Sequence, residues 1–236
     1  MRKILPILLL LLLLTGCTRE SNVPETTLPG ETMPTETLPA ETYLTEPEIL
    51  EYPDPQDMVF VAAADYVPGI RVDLKYAGED NFTGQVIYEF STAYLRYGTA
   101  EKLAAVQEDL KELGLGLMIW DAFRPVTAQH RLWEVCPDSR YVANPNSGFS
   151  AHSRGNTVDV TLVDLEGNEM IMPTAFDDFS GKADRDYSDC SREAADNAMI
   201  LQVLMEKHGF TGYKAEWWHF TDTETYPVEE MFQPTN

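Results

Sequence analysis

From residue 99 onward the chain alternates between stretches with a helical period and stretches with a strand period. Leu103, Val106, Leu110 and Leu113 recur at spacings of three and four, which predicts an amphipathic helix from Thr99 to Leu113 stopped by Gly114. Leu115 to Trp120 then predicts a buried strand. Asp121-Ala122-Phe123 leads to Arg124-Pro125, and proline suits the first turn of a second helix running to about Val135, so Arg124 is expected where a strand gives way to a helix. Cys136 to Phe149, rich in Pro, Asn, Ser and Gly, reads as a loop. Asn156 to Val163 alternates as a strand does: Val158, Val160 and Leu162 share one face, while Thr157, Asp159 and Thr161 share the other. Asp164 to Asn168 predicts a hairpin turn into Glu169 to Met172. After an acidic loop from about Thr174 to Asp189, Ser191 can cap a helix to His208, with Ala198, Leu201 and Met205 inward and Gly209 ending it. Tyr213 to Phe220 is the last strand expected. Strands and helices mix without a βαβαβ rhythm, which argues for an α+β fold.

The first residues follow a different pattern. Arg2 and Lys3 precede an apolar run from Ile4 to Leu14, about half of what a bilayer-spanning helix needs, so this is read as a signal peptide. It ends Leu14-Thr15-Gly16-Cys17, which resembles the bacterial lipoprotein lipobox. That resemblance implies a signal over residues 1–16, a lipidated Cys17, and an extracytoplasmic protein anchored to the bacterial cell membrane. Residues 17–57 turn to Thr, Pro and Glu and predict a solvated tether with no core. The folded domain is expected over residues 58–236, long enough for one good core.

The 236 residues carry 17 Lys+Arg against 39 Asp+Glu, a formal net charge of −22, which makes nucleic acid and anionic membrane surfaces poor partners. Nothing in the sequence calls for an obligate protein partner. Three cysteines without a CxxC spacing exclude a cysteine-based zinc site and direct the search for a metal to His and carboxylate. Export would put Cys136 and Cys190 in an oxidising compartment, which leaves a disulfide and two free thiols both open.

Two of the four histidines lie in polar, punctuated segments: His152 in Ser150-Ala151-His152-Ser153-Arg154-Gly155, and His219 in Glu216-Trp217-Trp218-His219. With Asp159, they offer three protein ligands for zinc and leave a fourth position open, as catalytic rather than structural sites do. His130, inside a helix, and His208, at the end of one, read as structural, and Trp217 and Trp218 as packing. Glu216 and His219 raise a geometric problem. Residues three apart on a regular strand face opposite ways, so both can address one metal only if the chain bends near Trp217.

The segments Ser150-x-His152-x-x-Gly155-x-x-x-Asp159 and Glu216-x-Trp218-His219 resemble the signature motifs of the zinc D-Ala-D-Ala peptidases. Asp159-x-Thr161-Leu162, Phe176-Asp177, Asp73-x-Lys75-Tyr76-Ala77 and Asp80-Asn81-Phe82-Thr83-Gly84 resemble its dipeptidase branch more closely, in family order from about Arg71 to Phe220. The resemblance implies a single compact zinc-peptidase domain with a central, mostly antiparallel sheet flanked by helices. It implies one zinc per chain on His152, Asp159 and His219, Glu216 as general acid/base, and Arg124 stabilising the transition state. It further implies that Asp177, beside Asp178, receives the free amino terminus of a small D,D-dipeptide, with Ser150 and Tyr76 also meeting substrate. A D,D-carboxypeptidase of peptidoglycan stems and a non-catalytic wall-binding lipoprotein are the alternatives.

Overall fold

The computed structural model describes residues 53–236; the expected signal, Cys17 and nearly all of the expected tether lie outside the described residues. In chain order the elements are β1 (Phe60–Ala62), α1 (Ala63–Tyr66), β2 (Arg71–Val72), β3 (Tyr94–Arg96), α2 (Tyr97–Glu112), β4 (Leu115–Asp121), α3 (Val126–Val135), β5 (Thr157–Asp164), α4 (Arg192–Lys207), β6 (Phe210–Gly212) and β7 (His219–Asp222). The fold is α+β. A five-stranded sheet runs in the order β2-β4-β5-β7-β6, antiparallel except for the β2–β4 pair, and β1 pairs with β3 in a separate ribbon.

The long elements form where the hydrophobic period is longest. Leu103, Val106 and Leu110 of α2 and Leu201 and Met205 of α4 join Leu117, Ile119, Val158, Val160 and Leu162 in one core. Ser191 Oγ accepts from Ala194 N at 3.1 Å, and Gly209 ends α4 in the left-handed region at φ 85°. Because side chains alternate along β5, packing Val158, Val160 and Leu162 into this core turns Asp159 and Thr161 to the other face.

Two expectations are corrected. Tyr213 to Phe220 is not one strand: β6 ends at Gly212, β7 begins at His219, and residues 213–218 form the non-strand connection between them. Glu216 N donates to Tyr213 O at 3.2 Å and His219 N to Glu216 O at 3.4 Å, which reverses the chain so that β7 lies antiparallel on β6. The bend expected near Trp217 is therefore present. Glu169 to Met172 is not a paired strand either; a single bridge joins Val163 to Glu169 before the chain leaves the sheet. Cys136 and Cys190 are free thiols.

Candidate active site

Sheet register does most of the assembly. Asp121 pairs with Asp159 across β4 and β5, and Asp159 pairs with His219 across β5 and β7, so three functional groups stand in one row at one end of the sheet. His152 arrives from a short 3-10 turn, Ala151–Arg154, immediately before β5. That turn closes on Gly155 at φ 78°, where an added Cβ would run into the Phe60 ring, so the position requires glycine. The His152 turn is also tied to the Arg124 segment: Arg124 N donates to His152 O at 3.3 Å and Ser153 Oγ to Arg124 O at 2.9 Å.

His152 Nε2 stands 3.4 Å from Asp159 Oδ2 and 3.4 Å from His219 Nδ1, and His219 Nδ1 stands 3.1 Å from Asp159 Oδ1. Donors bound tetrahedrally to one zinc at ordinary bond lengths stand about 3.3 Å apart, so this trio has the spacing of a ligand set. Two further observations agree. Asp159 Oδ1 is buried and accepts no hydrogen bond even though an imidazole nitrogen lies close, as expected of an oxygen whose lone pair serves a third body. His152 Nδ1 donates to Ala122 O at 2.9 Å, which fixes the tautomer and leaves Nε2 as the free donor pair. The residues fit zinc.

Around the trio the structure brings together most of the other residues singled out in the sequence. Glu216 Oε2 lies 3.5 Å from His219 Nδ1, made possible by the turn, and burial raises its carboxyl above the usual value. Arg124 is buried under a dense set of acceptors: Asp121 Oδ2 takes Nε at 3.1 Å and Nη2 at 2.6 Å, and Gln129 Oε1 takes Nη1 at 2.9 Å. Burial works against its charge, but Asp121 overcomes this and the guanidinium stays protonated. Tyr76 lies beneath it, 5.1 Å from ring centroid to Arg124 Cζ, and donates its hydroxyl to Asp177 Oδ2 at 2.9 Å. Asn81 holds the Tyr76 segment in place by donating Nδ2 to the carbonyls of Lys75, Gly78 and Gln85. Asp177 itself sits at φ 56°, a conformation that costs a non-glycine residue energy, and burial pushes its carboxyl up to about 8. Ser150 is buried at the start of the His152 turn and makes no capping bond there.

The comparison with known sequences agrees with this geometry. A family model described as D-ala-D-ala dipeptidase matches residues 56–234. The chain belongs to the D-Ala-D-Ala dipeptidase family. It is therefore a hydrolase of the dipeptidase class, in a family of zinc-dependent peptidases. It is 37% identical over 163 residues to a D-alanyl-D-alanine dipeptidase of Escherichia coli (strain K12), covering 68% of this chain and 84% of that protein. With a D-alanyl-D-alanine dipeptidase of Enterococcus faecium it shares 33% over 189 residues, 71% of this chain and 94% of the relative. A Streptomyces coelicolor (strain ATCC BAA-471 / A3(2) / M145) protein of the same description is 36% identical over 183 residues, 69% of this chain and 90% of its own.

Sequence reasoning missed one residue of this candidate site. Asp121 is fully buried and accepts from Tyr88 Oη at 2.6 Å, from Ala122 N at 2.9 Å and from Nε and Nη2 of Arg124. The available signal was an acid closing an otherwise apolar strand three residues before an arginine. Trp217 and Trp218 are buried as packing, and His208 caps α4 with Nε2 2.6 Å from Asp109 Oδ2.

Proposed function

We propose that this chain is an exported, lipid-anchored zinc dipeptidase that hydrolyses D-Ala-D-Ala to two D-Ala. The observation that carries the reading is the Glu216 carboxylate held 3.5 Å from a nitrogen of the His152–Asp159–His219 trio, with the Arg124 segment tied to the His152 turn. Zinc bound by those three residues would supply Lewis acidity to the peptide carbonyl and to water. Glu216, its basicity raised by burial, takes the proton of the attacking water and later returns it to the leaving amine nitrogen as the C–N bond breaks. Arg124 faces the negative charge that develops on the carbonyl oxygen. Asp121 and Gln129 already hold its guanidinium, so little reorganisation is needed at the moment of reaction. Asp177, oriented by the Tyr76 hydroxyl, receives the substrate's ammonium; a cation brought against this buried carboxyl draws off its proton and replaces the solvation it has lost. Ser150 lines the same turn as His152 and meets the substrate backbone.

The test is release of alanine by the purified zinc-loaded protein from free D-Ala-D-Ala and from an N-acylated stem peptide ending in D-Ala-D-Ala. The free dipeptide is expected to be cleaved and the blocked peptide spared, and His152→Ala is expected to lose bound zinc and turnover together. Faster cleavage of the blocked peptide would move the function to a D,D-carboxypeptidase, and zinc binding with neither activity would move it to wall binding. Export is supported by the charged start, the short apolar run and Cys17. Wild-type protein is expected in the membrane fraction carrying radiolabelled palmitate, and Cys17→Ala is expected to lose the label; a label that survives the substitution sinks the anchor.

A further inference from the structure

A cavity of about 490 Å³ opens beside the site, and Asp177 stands in its wall. Asp177 thus faces two ways: through Tyr76 it belongs to the Arg124 cluster, and through its own position it borders the cavity. The inner wall is apolar, with Trp120, Phe176, Met170 and Met172. Trp120 is buried against Phe176, ring centroids 5.4 Å apart, and against Trp217 at 5.6 Å. Four acids stand in the rest of the lining, Asp80, Glu169, Asp177 and Asp178, among neutral residues. Lys75 is the one cation among the lining residues, and its ammonium is already engaged by Asp73 at 2.7 Å and Asp80 at 3.6 Å. Asp178 Oδ1 accepts from Ser180 N at 2.8 Å. Glu169, exposed at the edge, accepts from Trp120 Nε1 at 3.3 Å; the Lys75 ammonium, 5.9 Å from the Trp120 ring centroid, faces it from beyond ion-pair distance.

We infer that this cavity is a subsite for the side chain of the substrate's amino-terminal residue, and that it selects a long side chain with an apolar stem and a cationic tip, as in D-lysine. The inference rests on the dipeptidase reading of the site. In a dipeptide whose ammonium sits on Asp177, the first side chain branches from the carbon that carries that ammonium, so it must start at the same wall. A methyl group would leave most of the cavity to water. A lysyl stem can instead lie along Trp120 and the methionines, while its ammonium emerges beside Glu169 and Asp178, the arrangement in which long cationic side chains bury their methylenes and keep the charge wet. An anionic side chain of equal length would meet the carboxylates of Asp80, Glu169 and Asp178 and gain little from Lys75, whose charge is already matched.

The experiment compares kcat/KM of the zinc-loaded protein for D-Lys-D-Ala, D-norleucyl-D-Ala, D-Glu-D-Ala and D-Ala-D-Ala. D-Lys-D-Ala is expected to exceed D-Ala-D-Ala by roughly tenfold through burial of the stem. It is expected to exceed the norleucyl peptide by about threefold, the scale of a solvent-exposed ion pair, with the glutamyl peptide poorest. Glu169→Gln should bring the lysyl and norleucyl rates together, and D-Ala-D-Ala turnover in the same preparation reports whether the site is intact. A norleucyl peptide cleaved as well as the lysyl one by wild-type protein overturns the charge selection. Cleavage of D-Ala-D-Ala with both long side chains refused overturns the subsite while leaving the dipeptidase reading standing. Refusal of all four peptides brings down the dipeptidase reading and the subsite with it.

Discussion

Glu216→Gln is expected to lower kcat for D-Ala-D-Ala by roughly 10²–10⁴-fold, the usual scale for losing a positioned acid–base group, while zinc content stays at the wild-type level. The substitution keeps the size of the side chain and the turn that carries it. Glu216 N remains bonded to Tyr213 O and His219 N to Glu216 O, so His219 keeps its place at the head of β7. What disappears is a group able to accept and return a proton beside the trio, since an amide does neither at neutral pH. The loss should fall on kcat with little change in KM, because Asp177, Arg124 and Tyr76 are untouched. Metal analysis and steady-state kinetics on the same preparation decide the matter. A variant with full zinc and near-native kcat would sink the assignment of Glu216; one that has lost zinc would show that the carboxylate supports the metal instead of moving the proton.

The largest loss of stability is expected from Asp121→Ala, on the order of 3–5 kcal/mol, the cost of leaving a buried cation without its partner. Arg124 is 9% exposed and Asp121 0%, so water cannot replace the lost carboxylate. Removing it also deprives the Tyr88 hydroxyl and the Ala122 amide of their acceptor. The fall in Tm should be on the order of 10 °C for a domain of this size. The double variant Asp121→Ala/Arg124→Ala should be less destabilised than the two single losses added together, because the unpaired charge goes with its partner. Urea unfolding of all three proteins measures this directly. A single-variant loss below about 1 kcal/mol would mean that the pair is solvated in solution and carries little of the site's rigidity.

Much of this was legible in the chain itself. The helix over Arg192–Lys207 falls within a residue of its expected bounds because Ser191 and Gly209 act locally, one as a hydroxyl acceptor and the other through its φ. The β5 strand was readable because eight residues give the alternation enough repeats to be seen. The strands β1, β2 and β3 were not, since two or three residues contain no period. Tyr213 to Phe220 failed for another reason: its aromatic residues favour strand, but pairing His219 with Asp159 and Phe220 with Gly212 requires the chain to turn first.

The sequence by itself determined the elements with long periods, the acidity of the protein and, through the spacing of its motifs, which side chains to gather. Those properties depend on neighbours a few residues away. Tertiary structure alone decided that Asp121, Asp159 and His219 form one row, that Glu216 and His219 share a side, and that Arg124 is charged in a buried setting. These depend on strand register and on desolvation, which are set between segments far apart in the chain and are invisible to any local pattern.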